Sequence, residues 1–369
     1  MVAQTLQAKK WFIIRSLKEG TFKILSGSYK LFNKPFQNQS TINLNSGDSL
    51  LLFAENDINC ECSENVVLES TLNNPIPNDW LTLKIDIQAV VKNRIMLIGS
   101  NDSGKTTLTK FLAYNLPKKG DTIGIIDLDV GQNSLGLPGT INLSNFSVSE
   151  TKLTHTKFFG HISPAGNRDL FLHTIRHFFN EIQSFNYNWL IFDTSGYLHT
   201  SEAIYIKNGL LSICKPQYVL LLGSGAFELD KKLSTRNIRY VWISSALEGI
   251  KKEKTIEMRR NKRKERFIQY FKDSKSVAIN IMYIVSIQVN ENNETIVLHT
   301  YEEIKTFIEL NVKKLINLFI GIELENKKTL FYAKIIDVEP DALMCLIPNE
   351  KVLPERCSLI LGSIHLDQV

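Results

Sequence analysis

The period of the hydrophobic positions changes twice along the chain. Up to about residue 85, apolar residues come in short runs at 22–25, 28–32, 49–53 and 66–68. Gly, Asn, Asp and Ser separate these runs, as expected of a β-rich module with turns between strands. Asn73-Asn-Pro-Ile-Pro-Asn-Asp79 then reads as a linker. From 86 to 275, apolar runs alternate with polar, charged and helical stretches, with candidate strands at 94–98, 122–127, 189–192, 218–222 and 240–244. That alternation predicts an α/β domain with a mainly parallel sheet. After residue 276, β-like runs return at 277–289, 295–299, 315–324, 329–338, 343–347 and 358–366. They predict a C-terminal β-rich domain, a small barrel or sandwich. The expected layout is three domains, 1–85, 86–275 and 276–369.

The first apolar run of the central domain, Ile95 to Ile98, leads into Gly99-Ser-Asn-Asp-Ser-Gly-Lys-Thr106. The spacing is G-x-x-x-x-G-K-T. Helix-compatible spacing follows from Thr106 to Tyr114, until Pro117 stops it. Strand, glycine-bounded loop and helix together are the context in which this motif is a phosphate-binding loop. The N–H groups of the loop (Ser100, Asn101, Asp102, Ser103) and of the helix start, as far as Thr107, then point at phosphate oxygens. Gly99 and Gly104 permit the close approach, Lys105 reaches the β/γ phosphates, and Thr106 ligates Mg²⁺. A glycine turn before an ordinary helix is the alternative, and the strand and helix on either side weigh against it.

Charge alters this picture at one place. The net charge is +5, but residues 251–266 hold nine Lys or Arg against three Glu, a local +6. The rest of the chain is therefore about −1. Such a segment suits a polyphosphate or nucleic-acid partner, although a solvated helix face also produces a charge run. Arg259, Arg263 and Arg266 stand at i, i+4 and i+7, one face of a helix. Their planar forks suit phosphate, and folded over a transferring phosphoryl group they can stabilise its charge. No apolar run is long enough to cross a membrane as a helix, and Met1 to Arg15 lacks a cleavable signal pattern. Five scattered cysteines without zinc spacing read as buried or free thiols in a reducing cell interior.

Two further motifs end apolar strands. Ile126-Asp-Leu-Asp-Val-Gly-Gln132 places Asp127 and Asp129 two residues apart on the same face at the end of an apolar strand. A carboxylate there can orient an attacking hydroxyl or hold Mg²⁺, while an aspartate at a turn is often only a cap. Phe192-Asp-Thr-Ser-Gly-Tyr197 offers the hydroxyls of Thr194 and Ser195, with Gly196 allowing a ligand near the backbone. An ordinary strand-to-loop turn explains it equally well. Both Asp127/Asp129 and Asp193 fall at carboxyl ends of strands, where open α/β sheets bind ligands. His173 and His177 are four apart on an expected helix, and without a third ligand a surface or packing role is favoured over metal.

Taken in order, these motifs resemble the polynucleotide 5′-hydroxyl kinases, the family of an mRNA cleavage-factor subunit, a ribosomal-RNA-processing kinase and archaeal members. The resemblance rests on the phosphate loop, Asp127-Leu-Asp-Val-Gly-Gln132 with Pro138-Gly-Thr140, and Phe158-Phe-Gly-His-Ile-Ser-Pro-Ala-Gly-Asn167. Asp193-Thr-Ser-Gly-Tyr197 and the arginine segment ending Arg266-Phe-Ile-Gln-Tyr-Phe271 complete it. It implies a P-loop NTPase domain between two β-rich domains, and ATP- and Mg²⁺-dependent phosphorylation of the 5′-hydroxyl of RNA, sometimes DNA. Lys105 would bind the β/γ phosphates, Thr106 with Asp127 and Asp129 the metal, and Asp129 the proton of the acceptor hydroxyl. Gln132 would support the metal-bound water. Thr194, Ser195, Gly196 and Tyr197 match the clasp on the nucleic-acid end, and Arg259, Arg263 and Arg266 the lid. Tyr197 stands where many members have Trp, and Asp193 and Asp127 where eukaryotic members often have Asn and Glu, so the choice of metal-binding acid stays open. The expected home is the cytoplasm of an archaeon or the nucleus of a eukaryote, with RNA-processing proteins as partners. A nucleotide-binding scaffold holding ATP structurally is the alternative. A plain GTPase or ATPase leaves the basic segment unexplained and lacks an N-K-x-D signal.

Overall fold

The structure, a computed structural model, describes residues 1–368 apart from 38, 45–46, 84–92, 119, 135, 149–150, 224–225, 227–228, 230–232, 234–237, 246–254, 292 and 325–327. The boundary expected at 85/86 and the lysines at 251, 252 and 254 lie outside the described residues. The chain forms two compact units. One comprises Met1–Asp129, Leu143–Thr154 and Gln183–Glu253, and the other Val130–Asn142, His155–Ile182 and Lys254–Val369.

The first unit begins with β1 (Val2–Leu6), β2 (Trp11–Ser16), β3 (Gly20–Ser26), β4 (Tyr29–Leu31), β5 (Lys34–Phe36), β6 (Ser40–Leu44), β7 (Ser49–Ala54), β8 (Ile58–Cys62) and β9 (Val66–Thr71). They make a four-stranded sheet, β1-β8-β3-β6, and a five-stranded sheet, β5-β4-β7-β2-β9. Phe22 and Ile24 on β3 are buried, while Thr21, Lys23 and Leu25 beside them are half-buried, the alternation of a strand with one covered face. On β2, the run Trp11 to Ile14 is wholly buried, so no period marked it. The expected linker is no loose tether. It enters α1 (Asn78–Leu81), whose buried Trp80 donates from Nε1 to the Ser244 carbonyl at 2.9 Å, while Asp79 Oδ2 accepts from the Ser244 N–H.

Next come β10 (Asn93–Gly99), α2 (Lys105–Asn115), β11 (Ile123–Asp127), β12 (Thr140–Phe146), β13 (Thr151–Phe158), α3 (Arg168–Glu181), β14 (Trp189–Asp193), α4 (Ser201–Cys214), β15 (Tyr218–Leu222) and β16 (Arg239–Ile243). Five of the strands are parallel, in the order β11-β14-β10-β15-β16. The α/β expectation is met. β12 and β13 stand where no strand was expected, and the unit boundary falls within both. They bury polar residues, Asn142, Ser144 and Lys157, alongside apolar ones. α2 packs on the N-terminal sheets: Phe32 and Tyr114 stack at 5.2 Å, Asn115 Nδ2 donates to the Phe32 carbonyl at 2.7 Å, and Lys110 pairs with Asp48 at 2.8 Å. The β-rich module thus holds the helix that follows the phosphate loop.

The second unit closes with α5 (Ile256–Tyr270), β17 (Ser274–Asn280), β18 (Ile284–Glu291), β19 (Glu294–Leu298), α6 (Tyr301–Leu315), β20 (Leu318–Glu323), β21 (Thr329–Glu339), β22 (Ala342–Pro348) and β23 (Cys357–His365). Among the described residues these strands form one open sheet, β17-β22-β21-β20-β23-β18-β19, rather than a barrel or sandwich. α6 packs on that sheet through Ile304, Ile308 and Leu315. Its start was legible: Thr300 and Glu303 form a capping box, each bonding the other's backbone N–H. α3 has no cap of its own. Asn293, at φ +66° in the β18–β19 turn, accepts from the Asp169 and Leu170 N–H groups at 2.8 and 3.3 Å. All five cysteines are buried free thiols.

Candidate active site

β10 runs fully buried from Ile95 to Gly99 and stops at the loop. A Cβ on Gly99 would meet Ser103 Oγ at 2.6 Å and Leu222 Cβ at 2.9 Å, so only glycine fits between loop and β15. Gly104 sits at φ +94°, the left-handed turn that starts α2, and no side chain caps that helix. Lys105 is 8 % exposed, and its ammonium donates to the Gly99 and Ser100 carbonyls at 2.9 and 2.7 Å. The charge is thereby held over the loop. Thr106 donates from Oγ1 to Asp193 Oδ2 at 2.7 Å. Strand, loop and helix follow one another, with the lysine and the hydroxyl in the first turn of α2.

Asp193 is the side chain that sequence reasoning left open. Its strand, β14, lies between β10 and β11, with Asp193 in register with Leu97 on one side and Asp127 on the other. Its carboxylate is buried, and Oδ1 has no hydrogen-bond partner. Burial raises its pKa, the neighbouring Asp129 adds to that, and Lys105, the Thr106 hydroxyl and Lys207 oppose it. A buried carboxylate oxygen without a partner, beside a hydroxyl bonded to the other oxygen, is a pair of hard donors of the kind Mg²⁺ takes. The signal was the strand order. Only with β14 adjacent to β10 does an acid at its end meet the first turn of α2.

Asp127 and Asp129 do not share a strand face. β11 ends at Asp127, whose Oδ1 accepts from the Asp129 N–H at 3.0 Å, and the Leu128 N–H donates to the Asp193 carbonyl at 2.9 Å. The side-chain bond turns the chain, as short polar residues do when they compete with a ladder. Asp127 is buried and Asp129 half-buried, close enough to Asp193 to act on its charge.

Thr194 to Tyr197 continue from Asp193 and touch the phosphate loop. A Cβ on Gly196 would overlap Asn101, so the glycine lets the two loops meet. The Thr194 hydroxyl is fully buried and donates to the Leu97 carbonyl at 2.7 Å. Tyr197 donates from its hydroxyl to Glu202 Oε2 at 3.0 Å and accepts from Thr200 at 2.8 Å, which ties its half-buried ring to the start of α4. From α4, Lys207, 1 % exposed, donates to Thr194 Oγ1 at 3.0 Å and to the Ser195 carbonyl at 2.8 Å. Burial lowers its pKa to about 7, with Lys105 adding to the effect and Asp129 and Asp193 opposing it. No motif announced Lys207. It sits on α4 like any residue of a mixed helix.

The remaining candidates lie in the second unit. Gln132 donates to the Gly131 carbonyl at 3.0 Å. On α5, Arg259, Arg263 and Arg266 share a half-buried face, flanked by exposed Arg260, Lys264 and Glu265. Arg266 donates to the Gly136 and Ser134 carbonyls at 2.6 and 3.1 Å. Phe267 is the buried anchor, 4.9 Å from Phe319, and Tyr270 exchanges hydrogen bonds with the Tyr332 backbone. Phe271 joins the same cluster, so Tyr270 and Phe271 are packing residues. His161 Nδ1 shares a 2.7 Å hydrogen bond with Ser363, and His173 and His177 pack ring to ring at 4.5 Å. Among the described residues, no three His, Cys, Asp or Glu converge as a metal cluster.

Residues 99–273 match one family model, the mRNA cleavage and polyadenylation factor CLP1 P-loop. The polyribonucleotide 5′-hydroxyl-kinase of Pyrococcus abyssi is 30 % identical over 224 residues, 56 % of this chain and 59 % of that protein. A namesake from Methanocaldococcus jannaschii is 29 % identical over 243 residues, 60 % of this chain and 62 % of that one. The chain thus spans less than two thirds of the length of the curated relatives it matches. A solved Clp1p–Pcf11p complex contains a chain with the same fold, at a TM-score of 0.69 and 16 % identity, covering 99 % of this chain and 97 % of that one. The fold is a phosphate-loop α/β domain with β-rich regions at both ends.

Proposed function

We propose that this chain is an ATP-dependent polynucleotide kinase that phosphorylates the 5′-hydroxyl end of RNA. The observation that carries the reading is the meeting of two loops at the strand ends: Gly196 lies against Asn101, with Thr106 bonded to Asp193 beneath them. A nucleotide cradle alone needs no second loop against it. The residues present fit Mg²⁺, which Thr106 would hold with Asp193, alongside Asp127 or Asp129. When bound it neutralises the charge of the transferring phosphoryl group. Lys105 swings from the loop carbonyls to the β/γ phosphates, and the backbone N–H groups of the loop take the remaining oxygens. Asp129, half-buried on its turn, orients the acceptor hydroxyl and takes its proton. The clasp from Thr194 to Tyr197 holds the nucleic-acid end, and Arg259, Arg263 and Arg266 form the lid. Residues 1–85, 86–275 and 276–369 are read as three domains.

Incubating the protein with labelled ATP, Mg²⁺ and 5′-hydroxyl oligonucleotides of RNA and DNA tests the reading. Label appears on the 5′ end, and no transfer with ATP binding intact overturns the claim. One observation favours a second reading, a scaffold that holds ATP for its partners: the structural neighbour was solved in complex with Pcf11p, and a related study of that pair describes ATP loss in a point mutant. Asp129→Asn separates the two. A kinase loses transfer while its ATP affinity changes little, and a scaffold shows no catalytic difference.

A further inference from the structure

Lys207 is a buried charge that no step above uses. Placing an ammonium away from water is costly unless its donors are all occupied, and an apolar side chain of the same volume is often as stable or more so. Yet its bonds converge on one short segment: Thr194 Oγ1 at 3.0 Å, the Ser195 carbonyl at 2.8 Å and Ser195 Oγ at 3.5 Å. The Thr194 hydroxyl, accepting from Lys207, passes the connection on to the Leu97 carbonyl, two residues before Gly99. Three consecutive residues are therefore pinned. Thr194 is tied to the strand that feeds the phosphate loop, Ser195 to α4, and Gly196 rests on Asn101. A methionine in place of Lys207 would fill the space but could hold none of these oxygens.

We propose that Lys207 is a positioning residue for the phosphoryl acceptor, fixing the Thr194–Ser195 segment, and through it the nucleic-acid end, at a set distance from the phosphate loop. The inference rests on the kinase reading. Lys207 touches neither substrate and moves no proton in the transfer. It acts only through the clasp, where a displacement of about 1 Å is enough to cost on the order of 10²-fold in rate.

The test is steady-state kinetics of the full chain, varying a 5′-hydroxyl oligoribonucleotide and ATP in turn, for Lys207→Met, Thr194→Val and Thr194→Ser. Lys207→Met and Thr194→Val each raise the KM for the oligonucleotide about tenfold or more and lower kcat, while the KM for ATP stays within about twofold. Thr194→Ser keeps the hydroxyl and restores the oligonucleotide KM. If that KM is unmoved in both variants, or if both KM values rise in step, the positioning role is wrong and Lys207 is only a structural residue. Should Lys207→Met fail to fold, Thr194→Val against Thr194→Ser decides alone, since it cuts the same connection without touching the lysine. A wild-type chain that transfers no phosphate sinks the kinase reading and this inference with it. That outcome is distinct from an active wild type whose variants keep their KM.

Discussion

The loops at the strand ends of the first unit and the arginine helix of the second hold positive charge in different ways. Lys105 and Lys207 are each at most 8 % exposed, with their ammonium groups on named carbonyl and hydroxyl oxygens. Arg259, Arg263 and Arg266 of α5 are half-buried on a helix anchored in its own unit by Phe267 and Tyr270, with Arg266 also on the Gly136 and Ser134 carbonyls. In the first case polar bonds fix the charges and the backbone follows. In the second, aromatic packing fixes the helix that carries the charges. Chemistry that depends on fixed distances belongs with the first arrangement, because buried donors cost too much to leave unpaired and so have few alternative positions.

The sharpest way to break that contrast is Lys105→Met. Loss of one preorganised positive group at a transferring phosphoryl lowers kcat by about 10³-fold, read by label transfer, with little change in melting temperature. On the other side, Phe267→Ala leaves a cavity between α5 and Phe319 and destabilises the second unit by about 3 kcal/mol in denaturant unfolding. Lys264→Ala, exposed on the same helix, spares the anchor and leaves that unfolding curve where it was. Asn293→Ala removes the acceptor for the first N–H groups of α3 and costs about 1 kcal/mol, the ordinary price of a lost cap. The last contrast is a pH slope. Lys207 loses its proton near pH 7 when folded instead of near its ordinary 10.5, so between those values the unfolded chain binds more protons and stability rises with pH. Subtracting the unfolding free energies of Lys207→Met from those of the wild type isolates this rise. A flat difference from pH 7 to 10 would show that Lys207 keeps its charge.

The phosphate loop was legible because its chemistry and its local geometry share one contiguous stretch. Gly99, Gly104, Lys105 and Thr106 need only a strand before them and a helix after, and the apolar run and Pro117 marked both. The helical face of Arg259, Arg263 and Arg266 was legible for the same reason, being a matter of spacing. β2 was not legible because its run from Trp11 to Ile14 is buried throughout and has no alternation to read, and α6 carried only the Thr300–Glu303 capping box to mark its start. The pairing of Thr106 with Asp193 was not legible, since 87 residues separate them and any strand order would have suited the sequence.

What the sequence determined by itself was therefore local: a strand, a glycine-bounded loop and a helix that make a phosphate cradle, and a basic helix with its arginines on one face. Period and backbone freedom are properties of neighbours along the chain, so they can be read from it. Tertiary structure decided which acid meets Thr106, that Gly196 rests on Asn101, and that an unremarkable lysine of α4 braces the segment between them. Those pairings follow from β14 lying beside β10, and strand order is set by packing over the whole sheet rather than by any one stretch of it.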